Sequence, residues 1–309
     1  MKVAFIYPGQ GAQYAGMGKE IYQKYQEARE IFERADEALG FSISELCFEG
    51  PEEELMKTEN TQPAILTVSV ALTKVLQKRG INAEVTAGLS LGEYSSLVLA
   101  EALDFEDAVR LVKNRGKYMQ EVVPQGVGTM AAILGLENEV VEEICRTVSQ
   151  VGIVEPANYN CPGQLVISGE VKAVEKAVEL AKEKGAKRAV VLAVSAPFHC
   201  SMLKKAGELL ERDLEKIEIK DLKIPVVSNV TADYASKDQV KDLLIKQVSH
   251  PVLWEQSVKR MIEDGVDTFV EIGPGKTLTG FVKKIDKTKN AYNFEDEESL
   301  LKTLSALGV

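Results

Sequence analysis

The run Gly88-Leu89-Ser90-Leu91-Gly92 sets a serine between two glycines at the G-x-S-x-G spacing of a nucleophile elbow. Such a turn needs small flanking residues because its backbone is strained. A short strand expected at 83–87 precedes it and a helical pattern at 92–100 follows it, so the expected context is strand, tight turn, helix. There the Ser90 hydroxyl stands above the sheet edge. The N–H of Leu91, at a helix N-terminus, points at an oxygen that becomes negative during attack. A turn that merely caps a helix would share the five letters; the flanking strand and helix favour the elbow.

A serine hydroxyl is a weak nucleophile and needs a base. The chain has two histidines, His199 and His250. His199 ends the run Ser195-Ala196-Pro197-Phe198-His199, a loop after a strand expected at 187–194. Loops at the ends of strands are where functional residues gather. His250 precedes Pro251 between two helical patterns and reads as a surface or capping residue. His199 is therefore the candidate base. No aspartate lies between Asp107 and Asp213, and the glutamates between them fall mostly on helical faces. A Ser-His dyad is more economical than a triad, with the second imidazole nitrogen held by a backbone carbonyl. Cys200, beside His199, is a rival nucleophile. Adjacent residues rarely present their side chains to each other, so a small buried thiol is the better reading.

The elements that must carry these residues can be read along the chain. Strands are expected at 3–7, 83–87, 224–228 and 268–272, with helical patterns at 18–38, 51–57, 61–79, 92–100, 105–123, 202–216, 238–247, 253–264 and from 277. Asp104 is the expected N-cap of the helix at 105–123. Alternating strands and helices argue for a mostly parallel sheet covered on both faces. Between them, strands at 130–134, 154–159, 164–168 and 187–194 and helices at 137–148 and 171–184 run in the order β-α-β-β-α-β. That is the split unit of ferredoxin-like folds. The sequence Asn160-Cys161-Pro162-Gly163 is a turn by composition. The expected organisation is a catalytic core of residues 1–127 and 195–309 with a subdomain inserted at 128–194.

Composition excludes several function classes. Of 309 residues, 45% are apolar and 27% charged, enough apolar material for a large core. The net charge of −10 makes nucleic acid or an anionic membrane an unsuitable general partner. The N-terminal apolar stretch is too short for a signal-peptide core, and no run approaches the ~18 apolar residues of a membrane span. Cys47, Cys145, Cys161 and Cys200 are scattered, without metal-ligand spacing. They read as free thiols in a reducing compartment, which points to the cytoplasm. No metal site is expected.

Further motifs extend the pattern. Pro8-Gly9-Gln10-Gly11-Ala12-Gln13 follows the first strand, and its third position of G-x-G-x-x-G falls at Tyr14, so a dinucleotide fingerprint fails. With Gly88–Glu93, Arg115-Gly116-Lys117, Ala157-Asn158-Tyr159-Asn160, Ala196–His199, Ser228-Asn229-Val230-Thr231 and Glu271-Ile272-Gly273-Pro274-Gly275, the chain resembles the malonyl-CoA:acyl carrier protein transacylase family end to end. The resemblance implies an α/β-hydrolase-like core carrying a ferredoxin-like subdomain. It implies that Ser90 attacks malonyl-CoA, that His199 takes its proton, and that the N–H groups of Gln10 and Leu91 form the oxyanion hole. It implies that the carbonyl of Gln247 orients His199 and that Arg115 pairs with the malonyl carboxylate. Asn158 and Phe198 join Arg115 as substrate-binding residues; the Phe198 ring leaves little room for an extra methyl group. The thiol of acyl carrier protein then collects the malonyl group, and no cofactor is needed because CoA enters as substrate.

A planar guanidinium matches a carboxylate two-pronged, so Arg115 would supply the selection against acetyl groups. Leu89 stands where the family usually has histidine, which bears on the shape of the acyl pocket. An acidic carrier needs local cations, for which Lys187, Arg188, Lys276, Lys283 and Lys284 are candidates. Two other functions remain open: a serine hydrolase or thioesterase, which differs in letting water resolve the acyl-serine, and a silent acyl-binding or carrier-docking protein, which forms no adduct.

Overall fold

The computed structural model describes residues 1–308. Its strands are β1 (Val3–Tyr7), β2 (Val85–Gly88), β3 (Gly128–Leu134), β4 (Val154–Cys161), β5 (Gln164–Glu170), β6 (Arg188–Val191), β7 (Val226–Val227), β8 (Thr268–Ile272) and β9 (Asn290–Phe294). They form two sheets. One is parallel throughout, in the order β7-β2-β1-β8-β9. The other is antiparallel, in the order β4-β5-β3-β6.

The period-2 alternation of side chains explains how β1 serves two cores. Val3, Phe5 and Tyr7 enter one apolar cluster together with Ala64, Val68 and Leu72 of the helix Thr58–Lys78. Ala4 and Ile6 enter a second with Trp254, Val258 and Phe281. Every residue of β1, β2 and β8 is buried, as a sheet covered on both faces requires. In the antiparallel sheet, Ala131, Ile133, Leu165 and Ile167 pack on the helices Asn138–Val148 and Val171–Glu183. Met130 and Val166, on its other face, join the first cluster.

Several elements differ from the sequence expectation. The helical pattern at 18–38 is two helices, Lys19–Lys24 and Gln26–Leu39, broken at Tyr25, which is extended (φ −120°, ψ 121°). The Tyr25 hydroxyl donates to Glu297 at 2.7 Å and its ring lies 4.5 Å under the Arg79 guanidinium, so tertiary contacts override helix continuity. Asp104 occupies the N-cap position of the helix Phe105–Glu121 but makes no capping bond; its carboxylate pairs with Lys220 at 2.7 Å instead. The turn expected at 160–163 narrows to Pro162-Gly163, because β4 continues to Cys161 through register shifts. The strand at 187–194 stops at Val191. The helices Ile43–Glu49 and Glu297–Leu307 and the strand β9 were not expected. No helix among the described residues is long and apolar enough to cross a membrane.

Candidate active site

Three neighbouring parallel strands deliver the site. Gln10 lies three residues beyond the end of β1, Ser90 two beyond β2, and Asn229 two beyond β7. The carboxyl edge of a parallel sheet is where such folds bind ligands.

The elbow is sterically dictated. Ser90 has φ 53°, a left-handed conformation costly for a non-glycine residue. A Cβ on Gly88 would lie 1.9 Å from the Gly92 carbonyl carbon, and one on Gly92 would lie 2.2 Å from the Tyr7 carbonyl oxygen. Backbone stands on both sides, so neither site can yield cheaply. Gly88→Ala is expected to lose both activity and several degrees of Tm. Gly280, exposed in the helix Thr277–Ile285, has no atom within 4 Å of its would-be Cβ. Gly280→Ala is expected to gain about 0.5–1 kcal/mol from helix propensity. Thermal unfolding of both variants checks the opposite signs.

Ser90 Oγ lies 2.7 Å from His199 Nε2. His199 is 3% exposed and also left-handed, with φ 59°. Its Nδ1 sits 2.8 Å from the Gln247 carbonyl oxygen. A carbonyl only accepts, so Nδ1 carries the hydrogen and Nε2 turns its lone pair to the serine hydroxyl. Burial first, then the charge of Arg115, pushes the imidazole down to about 3. The ring therefore stays neutral, and able to take a proton, across the range where an ordinary histidine titrates.

Arg115 projects from the helix Phe105–Glu121 and is 1% exposed. Its Nη1 donates to Gln62 Oε1 at 2.8 Å; its Nη2 donates to Gln247 Oε1 at 2.9 Å and to Ser90 Oγ at 3.1 Å. Its Nε has no acceptor among the described residues. A buried cation at the nucleophile, with an N–H to spare, can receive an anionic group carried by an acyl chain.

The Leu91 and Gln10 N–H groups have no hydrogen-bond acceptor among the described residues. The two loops are in close contact, since a Cβ on Gly9 would lie 2.6 Å from the Leu89 carbonyl oxygen. Leu89 itself packs against the core cluster of Trp254 and Phe281.

The structure thus brings together Ser90, His199, Arg115 and Gln247, with the Gln10 and Leu91 backbone alongside. No hydrogen bond joins the side chains of Asn158, His250 or Cys200 to Ser90 among the described residues. Asn158 pairs its backbone with Val252, and its side chain makes no hydrogen bond to Ser90, His199 or Arg115. Phe198 is buried in the larger core beside His199. His250 is exposed, with Nδ1 2.7 Å from the Lys246 carbonyl oxygen at a helix end. Cys200 is buried and donates to the Pro197 carbonyl oxygen at 3.3 Å; burial pushes its thiol up to about 11, far from a thiolate.

Sequence reasoning gave no role to Gln62, Glu93 or Asn229. Asn229 Oδ1 accepts from the Ser90 N–H at 2.7 Å, and its Nδ2 donates to the Gly88 carbonyl oxygen at 2.7 Å. The signal for Gln62 was a glutamine within an apolar helical stretch, where a buried amide must find a partner. No group of histidine, cysteine and acidic side chains among the described residues could hold a metal.

Residues 4–300 match the acyl transferase domain family. The chain is 50% identical over 301 residues to the malonyl CoA-acyl carrier protein transacylase of Bacillus subtilis, covering 97% of this chain and 95% of that one. A crystal structure of malonyl CoA-acyl carrier protein transacylase from Clostridium perfringens is 54% identical and superposes with a TM-score of 0.97, over 99% of this chain and 97% of that one. A malonyl-transacylase in complex with a type II PKS acyl-carrier protein is 44% identical, with a TM-score of 0.96 over 99% and 100% of the two chains. By sequence and by fold, the chain belongs to the acyl transferase domain family and, within it, to the malonyl CoA-acyl carrier protein transacylases.

Proposed function

We propose that this chain moves a malonyl group from malonyl-CoA to the phosphopantetheine thiol of an acyl carrier protein, supplying fatty acid synthesis. The observation that carries the reading is Ser90 Oγ standing at once 2.7 Å from a neutral imidazole and 3.1 Å from a buried guanidinium. Ser90 Oγ attacks the thioester carbonyl as His199 Nε2 takes its proton. The oxyanion is held by the N–H groups of Leu91 and Gln10. The carbon–sulfur bond breaks, and the His199 proton leaves on the CoA thiol. In the second half the carrier thiol gives its proton to His199 and attacks the Ser90 ester, and the proton returns to Ser90 Oγ. Arg115 releases Ser90 and pairs with the malonyl carboxylate throughout. No bound cofactor enters this scheme.

The rival, hydrolysis, differs only in the acceptor. Enzyme mixed with carbon-labelled malonyl-CoA and acyl carrier protein is expected to place the label on the carrier. Label accumulating as free malonate would favour the hydrolase.

The acylation half has a defined pH dependence. With the imidazole held near 3 instead of 6.5, the base stays deprotonated as pH falls from 7.5 to 5. The rate of Ser90 acylation, followed by quenched-flow mass spectrometry, is expected to show no inflection from His199 in that window. Burial pushes the Glu93 carboxyl up to about 7, so any inflection near neutrality belongs to it and should vanish in Glu93→Gln. An inflection near 6.5 that persists there would contradict the assignment.

We read the parallel sheet and its helices, residues 1–127 and 195–309, as an α/β-hydrolase-like core. Residues 128–194 we read as a ferredoxin-like subdomain, on the strength of the strand order β4-β5-β3-β6. Four free, buried cysteines support a reducing, cytoplasmic setting. Lys187, Arg188, Lys276, Lys283 and Lys284 are exposed, and none has a carboxylate within ion-pair distance among the described residues. Lys284 donates to Gln164 at the start of β5, tying the helix Thr277–Ile285 to the antiparallel sheet. In a chain of net charge −10, unpaired cations at that junction suit an acidic carrier.

A further inference from the structure

Glu93 is a carboxylic acid in the first turn of the helix Gly92–Leu99, 3% exposed, and the reaction described above does not use it. A buried carboxyl is expensive unless its hydrogen bonds are specific. Those of Glu93 are. Its Oε2 accepts from the Asn229 backbone N–H at 3.0 Å and from Gln247 Nε2 at 2.8 Å. These two residues hold the elbow from behind. Asn229 Oδ1 takes the Ser90 N–H at 2.7 Å, and Gln247 Nε2 donates to the Ser90 carbonyl oxygen at 3.0 Å. Both backbone groups of a serine strained at φ 53° are therefore fastened by partners that Glu93 fastens.

The same carboxyl sets the direction of the Gln247 amide. Glu93 Oε2, the Ser90 carbonyl oxygen and Asn229 Oδ1 surround Gln247 Nε2, and all three accept. The amide must turn its NH2 toward them and its Oε1 toward Arg115, where it receives Nη2 at 2.9 Å. A reversed amide would present N–H to a guanidinium that has no acceptor of its own, and Arg115 would keep Gln62 but lose its anchor at Nη2. The chain Glu93–Gln247–Arg115 ends at the atom that meets the malonyl carboxylate.

The geometry points to Glu93 as a positioning residue that acts through Gln247 and Asn229 to hold the Arg115 guanidinium and the Ser90 elbow in register, so that it sets malonyl selectivity without touching substrate. This rests on the malonyl-transfer reading. An amide at position 93 can supply the same accepting oxygen to the Asn229 N–H and to Gln247 Nε2. An apolar side chain of similar length cannot.

The test compares Glu93→Gln, Glu93→Met and Gln247→Met, which keeps the Gln247 carbonyl, in kcat/KM for malonyl-CoA and acetyl-CoA. Glu93→Gln is expected to stay within a few-fold of wild type. Glu93→Met is expected to lower the malonyl-to-acetyl ratio at least tenfold, by a fall in the malonyl value, with a raised KM for malonyl-CoA. The double variant Glu93→Met/Gln247→Met is expected to be little worse than its poorer parent, because both act along one path. Multiplicative losses in the double variant, or an unchanged ratio in a folded Glu93→Met, overturn the proposal. Should Glu93→Met not fold, Glu93→Asp, which withdraws the oxygens by one methylene, gives the same comparison with a smaller loss, and a wild-type ratio in it overturns the proposal. Wild type is assayed alongside: absence of malonyl transfer there defeats the functional reading, whereas normal transfer with an unchanged ratio in the variants defeats only the role of Glu93.

Discussion

Ser90→Ala is expected to lower malonyl transfer by about four to six orders of magnitude while the protein still folds. Alanine keeps the backbone, and the Ser90 N–H and carbonyl would keep their bonds to Asn229 and Gln247. Only the hydroxyl goes, together with contacts of 2.7 Å to His199 and 3.1 Å to Arg115. The acyl group then has no covalent resting place, and no neighbouring group can take it. Cys200, the thiol next to His199 in the chain, is buried with its thiol pushed up to about 11. Steady-state transfer assays with thermal unfolding in parallel check the expectation. Transfer within tenfold of wild type would mean that the acyl group takes another route.

Arg115→Ala is expected to separate malonyl from acetyl. The malonyl carboxylate would lose its buried partner, at a cost of roughly 3–5 kcal/mol. That is a fall of about 10²–10⁴-fold in kcat/KM for malonyl-CoA. Acetyl-CoA has no carboxylate to orphan, so its transfer should fall far less. Arg115 also donates to Ser90 Oγ and helps depress His199, so its removal shifts the imidazole back up toward its usual value. Arg115→Lys should recover only part of the malonyl rate. An ammonium is a point charge and cannot hold Gln62, Gln247 and a carboxylate with a planar fork. Equal losses for the two substrates would show that Arg115 supports the site without reading the acyl group.

Much of the site was legible because its chemistry is rare in this sequence. With two histidines in 309 residues, the base could be chosen by place alone. The elbow is legible because steric necessity writes glycines at 88 and 92, where any Cβ would strike backbone. The roles of Gln10 and Gln247 came only from the family resemblance, since a backbone carbonyl or N–H leaves no mark on residue type, and so did that of Arg115, one of several cations on its helix. Glu93 and Gln62 went unassigned for a related reason. Their function is to satisfy partners more than 50 positions away in the chain, Gln247 and Arg115 respectively, and no local pattern records such pairings.

The fold shows the same division. The parallel sheet and the separate antiparallel sheet followed from strand–helix alternation, because short, mostly apolar runs such as β1 and β8 stand between longer helical patterns. The strand β9 did not, because an edge strand reading Asn-Ala-Tyr-Asn-Phe carries no apolar run, and only its last residue is buried. The final helix had a readable start in Asp296, whose carboxylate accepts from the Ser299 N–H at 2.8 Å. The break at Tyr25 depended on contacts with Glu297 and Arg79 that helical periodicity cannot anticipate.

Intact-mass analysis after a brief pulse of malonyl-CoA, with peptide mapping and then a chase of acyl carrier protein, is the most direct measurement. A single malonyl increment should map to the peptide holding residue 90 and vanish as the carrier gains the same mass. An unmodified enzyme that still transfers, or an increment mapping elsewhere, would contradict the serine route.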